Sequence, residues 1–86
     1  MNINNLIQIL EKKISSSINV QCIDVDDLTS LHKKHKSHQK GKFHIVINIK
    51  SAQLKQMKKI EYSRLIFSLI SKEIKDYIHS IKLNIT

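Results

Sequence analysis

The 86-residue chain has one cysteine, one glycine, no proline, no tryptophan and four aromatic residues in all. A single thiol, Cys22, excludes an intramolecular disulfide framework and leaves any zinc site dependent on histidine and carboxylate ligands. A reducing compartment is its natural home. A single glycine, Gly41, leaves no GxxG loop. No apolar run approaches the roughly 18 residues needed to cross a bilayer, and residues 1 to 19 lack a cationic start followed by an unbroken apolar stretch. The expectation is a cytoplasmic protein with no membrane association. Acidic residues are also scarce, 7 against 15 basic ones, for a net charge of +8. That balance favours anionic partners, whether nucleic acid or an acidic protein, without choosing among them.

Apolar residues make up 41% of the chain and charged residues 26%, a globular composition of one domain's length, residues 1 to 86. So short a chain buries only about 60 to 65% of its unfolded surface, which argues against a large enclosed active site. Fourteen of the fifteen cations are lysine, and sixteen isoleucines and six asparagines accompany them, so part of the basicity reflects a compositional bias. Its placement is more informative, because residues 31 to 42 hold five lysines and no acid.

Ile3, Leu6, Ile7, Leu10 and Ile14 recur at the spacing of one helix face, with Asn2, Asn4 and Asn5 available as caps, and Ser15, Ser16 and Ser17 as the end. Residues 18 to 26 then alternate, with a phase slip near Cys22 that predicts a bulge in a short strand and a core position for the thiol. Periodicity vanishes from Asp27 to Lys42, a connection long enough to be functional. Phe43, Ile45, Ile47 and Ile49 alternate with His44, Val46, Asn48 and Lys50 in the clearest strand. Ser51 can cap a short helix containing Leu54 and Met57. After a break at Lys58 and Lys59, a long amphipathic helix runs from about Ile60 to His79. Ile81, Leu83 and Ile85 mark a last strand.

The order is α-β-β-α-α-β, an α+β two-layer domain with helices on one face of a three-stranded mixed sheet. The first two strands are expected to be antiparallel. The last follows a helical crossover, which allows it to run parallel to one of them.

Histidine is the side chain with most chemical reach: His32, His35 and His38 in the long connection, His44 on the second strand, and His79 at the seam of the last helix and strand. Neutral imidazole is a common ligand of borderline metals, and a histidine at a helix C-terminus is favoured in its cationic form. Loop imidazoles must be ordered before they can bind together, at an entropic cost. No serine, cysteine or carboxylate is spaced with a histidine as a catalytic triad, and Asp24, Asp26 and Asp27 read as solvated aspartates at a strand end, so an enzyme is not expected.

Residues 62 to 83, from Tyr62-Ser63-Arg64 to Tyr77-Ile78-His79-Ser80-Ile81, resemble the C-terminal half of the BolA family, whose last strand opens on a His-Ala-Leu signature, here His79-Ser80-Ile81. Phe43 to Ser51 resembles the family's Phe-led second strand, and Lys34-His35-Lys36-Ser37-His38 its histidine-containing loop. Where the family starts its long helix with Arg-His-Arg, only Arg64 matches. The resemblance, of the histidine-loop type, covers essentially the whole chain and carries a KH-like class II topology.

The resemblance implies an accessory protein of iron-sulfur cluster trafficking and iron homeostasis. It would be a monomer alone and a heterodimer with a monothiol glutaredoxin, sharing a [2Fe-2S] cluster with that partner and glutathione, and holding none when isolated. The implied ligands are His79 and His35. One extra residue between Ser30 and His35 keeps His32 and His38 as rivals. Cys22 lies on the strand before the position used by the family's cysteine type. A second class is nucleic-acid binding, as in a DNA-binding regulator. KH recognition needs the GxxG loop that is missing here. A helix-turn-helix surface would use Lys55, Lys58, Lys59 and Arg64 as phosphate contacts.

Overall fold

The computed structural model describes residues 2–28 and 42–86. Its elements in chain order are α1 (Ile3–Ser17), β1 (Cys22–Asp27), β2 (Phe43–Lys50), α2 (Ala52–Lys55), α3 (Lys59–Leu69), α4 (Ser71–Tyr77) and β3 (Ile78–Ile85). The strands form one mixed sheet in the order β1-β2-β3, with β1 antiparallel and β3 parallel to β2. With α3 and α4 counted as one interrupted helix, this is the α-β-β-α-α-β, two-layer arrangement expected from the apolar periodicities.

Asn2 starts α1 by accepting the Asn5 N–H on its side-chain oxygen at 2.8 Å. Leu6, Leu10 and Ile14, at four-residue spacing, are fully buried, which stabilises the fold by about 2 to 3 kcal/mol per side chain. They meet Val25 of β1, Ile45, Ile47 and Ile49 of β2, and Leu54, Ile66 and Ile70 of the later helices in a single core. A buried carboxylate at its rim, Glu73 of α4, takes the Lys13 ammonium on both oxygens at 2.8 Å, tying α4 to α1.

Three elements differ from the sequence expectation. Residues 18 to 21 are not strand. Ile18 donates its N–H to the Ile14 carbonyl at 2.9 Å and closes α1 from the core side. Asn19 is held by the Gln53 side chain at 3.0 Å and by Ser51 Oγ at 2.7 Å, so the alternation there belongs to a tethered connector. The strand starts at Cys22, pairs with β2 in unbroken register, and exposes the thiol, so neither the bulge near Cys22 nor its core position is found.

The long helix is interrupted at Ile70, whose backbone leaves the helical region at φ −116°, ψ 23°. The bonds from Ile70 N–H to Ile66 and from Ile74 N–H to Ile70 persist at 3.2 and 3.0 Å, so the two helices stay nearly continuous. The third difference is that His79 does not close a helix. Helix α4 ends at Tyr77, and His79 is the second residue of β3.

The Ser51 cap expected from the sequence is present. Ser51 Oγ accepts the Leu54 N–H at 3.2 Å to begin α2. Lys58 precedes α3, its N–H donating to the Glu61 carboxylate at 2.9 Å, one half of a reciprocal cap.

Candidate functional site

Strand β2 presents Ile45, Ile47 and Ile49 to the helices and His44, Val46, Asn48 and Lys50 to the opposite face, which no helix covers among the described residues. Pairing continues this division across the sheet. Asp24 and Asp26 of β1 and Ser80, Lys82 and Asn84 of β3 share the open face. There Asn48 bridges the sheet, donating to Asp26 Oδ2 and accepting from Asn84 Nδ2, both at 2.9 Å. The acidic cluster expected to be merely solvated thus contributes Asp26 to a cross-strand ladder.

At the N-terminal end of β3 the register jumps. Phe43 pairs with Ile78 but His44 pairs with Ser80, which makes His79 an extra residue bulged out of the ladder. The bulge resets the alternation, so Ile78 before it and Ile81 after it both face the core although they stand three apart. The consequence for His79 is exposure to solvent on a strand that is otherwise in register with β2. Its ring meets that of His44 edge to face, with centroids 4.8 Å apart and planes inclined by 63°, a favoured aromatic geometry. His44 is only 4% exposed, and its Nδ1 is hydrogen-bonded to Ser80 Oγ at 2.8 Å.

The sequence reading singled out His79 but not its companion. No sequence signal pairs His44 with His79, because the register that sets the two rings together exists only once β2 and β3 are side by side. His35 and its rivals His32 and His38 lie outside the described residues. What is described is where their segment is tethered. Leu28 donates its N–H to the His44 carbonyl at 2.7 Å, and Lys42 Nζ reaches the Lys75 carbonyl at 3.3 Å, so both flanks stand at the His44–His79 end of the sheet. Cys22 pairs with Lys50, six residues further along β2, about 20 Å away at strand rise.

Among the described residues no group of three or more histidines, cysteines or acids could hold a metal ion. Among the described residues the site is one outward imidazole backed by a buried one. Lys55, Lys58, Lys59 and Arg64 are all exposed around the turn from α2 to α3. With four residues, α2 is a single turn rather than the first helix of a full helix-turn-helix. Among the described residues no helix is long and apolar enough to cross a membrane.

The fold has close counterparts among solved structures. The BolA domain of SufE1 from Arabidopsis thaliana superposes with a TM-score of 0.79 at 18% identity, covering 99% of this chain and 94% of that one. BolA1 from Arabidopsis thaliana gives 0.74 at 15% identity, over 92% and 87% of the two chains. A bol-like protein from Babesia bovis gives 0.69 at 20% identity, over 92% and 80%. No curated protein sequence matches the chain significantly. The family model described as BolA-like protein matches residues 14–86, from the last turn of α1 through all three strands, and on that match the chain belongs to the BolA-like family.

Proposed function

We propose that this chain is a non-enzymatic adaptor that pairs with a monothiol glutaredoxin and contributes imidazole ligands to a [2Fe-2S] cluster shared with that partner and glutathione. The observation that carries the reading is His79, bulged out of a paired strand and open to solvent. A ligand in that position meets a centre outside the molecule. The chemistry of the donor set fits. Two imidazoles can complete the coordination of one iron, leaving the other to thiolates, and His-ligated clusters of this kind have raised potentials. The only cysteine, Cys22, is remote from His79, so the thiolates belong to the partner side.

His79 is the first ligand. His35 is the second, with His32 and His38 as rivals, supported by the tethering of residues 28 and 42 beside His44 and His79. His44 acts by packing against the His79 ring rather than by ligation, since it is buried behind that ring at 4% exposure. Outer groups that orient a ligand are typically worth on the order of 10-fold or more in affinity for the centre. The cluster is cargo or signal for the pair, and this chain's contribution is to present and orient nitrogen donors.

Anaerobic reconstitution with a monothiol glutaredoxin and glutathione tests the proposal, reading visible circular dichroism and gel filtration for wild type, His79→Ala and His35→Ala. A 1:1 complex whose spectrum changes in both variants is expected. Identical spectra for all three, with no complex, would refute it. Nucleic-acid binding through Lys55, Lys58, Lys59 and Arg64 is the rival reading, supported by their joint exposure. Four phosphate contacts would give a log-log salt slope of about −3.6, at roughly −0.9 per contact. A flat response removes that reading.

A further inference from the structure

The outer edge of β3 is a second surface, remote in chemistry from the histidines. Among the described residues β3 has one strand neighbour in the order β1-β2-β3, and its other edge is open. Thr86 donates its N–H to the Ile49 carbonyl at 2.9 Å and accepts the Ser51 N–H at 3.1 Å, so its peptide groups face β2. By strand alternation Asn84 and Lys82 do the same, while Ile81, Leu83 and Ile85 direct their N–H and C=O groups off the sheet. Unprotected edges of this kind recruit further strands unless they are blocked.

Three observations say what would fit there. Helix α3 runs beside the edge and forms with it a groove of about 250 Å³, lined by Lys59, Ser63 and Phe67 of α3 and by Ile81, Lys82 and Leu83 of β3. Ile60, 57% exposed and the only large hydrophobic side chain exposed among the described residues, stands at three-residue spacing from Ser63 on the face that continues to Phe67. Both charged residues lining the groove are cationic, Lys59 on the helix side and Lys82 with its side chain on the open face, in a chain of net charge +8.

The opposite edge contrasts with this one, since β1 carries Asp24, Asp26 and Asp27 and no cation. A second copy docking β3 against β3 would bring lysine toward lysine.

We infer that the β3 edge receives an extended acidic segment of a partner protein, which adds as a fourth strand. Its backbone would bond to Ile81, Leu83 and Ile85. Alternate apolar side chains would enter the groove beside Lys59, and the acidic side chains between them would meet Lys82 on the open face. This is strand addition, in which main-chain bonds give affinity and alternate side chains give specificity. It is independent of the cluster reading, because neither imidazole takes part.

The probe is a synthetic ten-residue peptide alternating glutamate and valine, titrated into the full 15N-labelled chain. A matched peptide N-methylated at every internal amide offers no N–H on either edge, cannot form the strand ladder and serves as comparison. Expected are slowed amide exchange at Ile81, Leu83 and Ile85, at least a 10-fold loss of affinity for the N-methylated peptide, and a similar loss in the doubly substituted Lys59→Glu/Lys82→Glu chain. These two side chains are exposed, so the variant retains the fold, which its amide spectrum verifies. Equal binding of the N-methylated peptide would mean charge adhesion alone and would overturn the inference. So would protection confined to β1, self-association through the edge, or binding of a single-stranded oligonucleotide in place of the peptide.

Discussion

The two faces of β2 are made from alternate residues of one strand and do opposite work. Toward the helices, Ile45, Ile47 and Ile49 are sealed beneath α1 and α3 with at most 2% of their surface exposed. Away from them, His44, Asn48 and their neighbours on β1 and β3 are joined by polar side-chain bonds. The comparison teaches that one face specifies the fold and the other is free to carry chemistry. His79 stands where the division is reset, as the extra residue that lets β3 re-enter the core pattern at Ile81.

Substitutions on the two faces should therefore differ in kind. Ile47→Ala, at a fully buried position of the central strand, should lose about 3 to 4 kcal/mol. For a chain this short total stability is on the order of 4 to 13 kcal/mol. Urea unfolding followed by far-ultraviolet circular dichroism checks it, and a shift below 1 kcal/mol would break the comparison. Lys13→Met leaves the 4%-exposed Glu73 without its ammonium partner. Because Lys13 is itself partly open to water, the expected loss is about 1 to 2 kcal/mol, below that of a fully buried pair.

On the open face, Asn48→Ala removes both rungs of the ladder from Asp26 to Asn84 and should cost about 0.5 to 1 kcal/mol. Both changes can be read in the same denaturant titration. Smallest of all, Cys22→Ser should leave stability and cluster spectra unchanged, because the thiol is exposed and lies at the far end of the sheet. Loss of the complex in that variant would move the functional end of the molecule from His79 to Cys22.

The order of elements was legible in the sequence because each apolar spacing there has a physical cause. Leu6, Leu10 and Ile14 lie on one helix face, and Ile45, Ile47 and Ile49 on one strand face, and both patterns survive intact. The break at Ile70 was not legible, since Ile66, Ile70, Ile74 and Ile78 keep four-residue spacing across it and the helical bonds on either side are retained. Residues 18 to 21 alternate as a strand would, but long-range bonds to Ser51 and Gln53 decide their conformation. The bulge at His79 is a property of register, which exists only once β2 and β3 are side by side. For that reason the sequence pointed to His79 yet assigned it to a helix end, and passed over His44.

The most direct test of the account is pulsed electron paramagnetic resonance on the reduced cluster, assembled from this chain labelled with 15N-histidine, an unlabelled monothiol glutaredoxin and glutathione. Nitrogen couplings from two imidazoles of the labelled chain are predicted in the wild type, with one of them lost in His79→Ala. A wild-type spectrum without 15N coupling, or one unchanged by that substitution, would contradict the account.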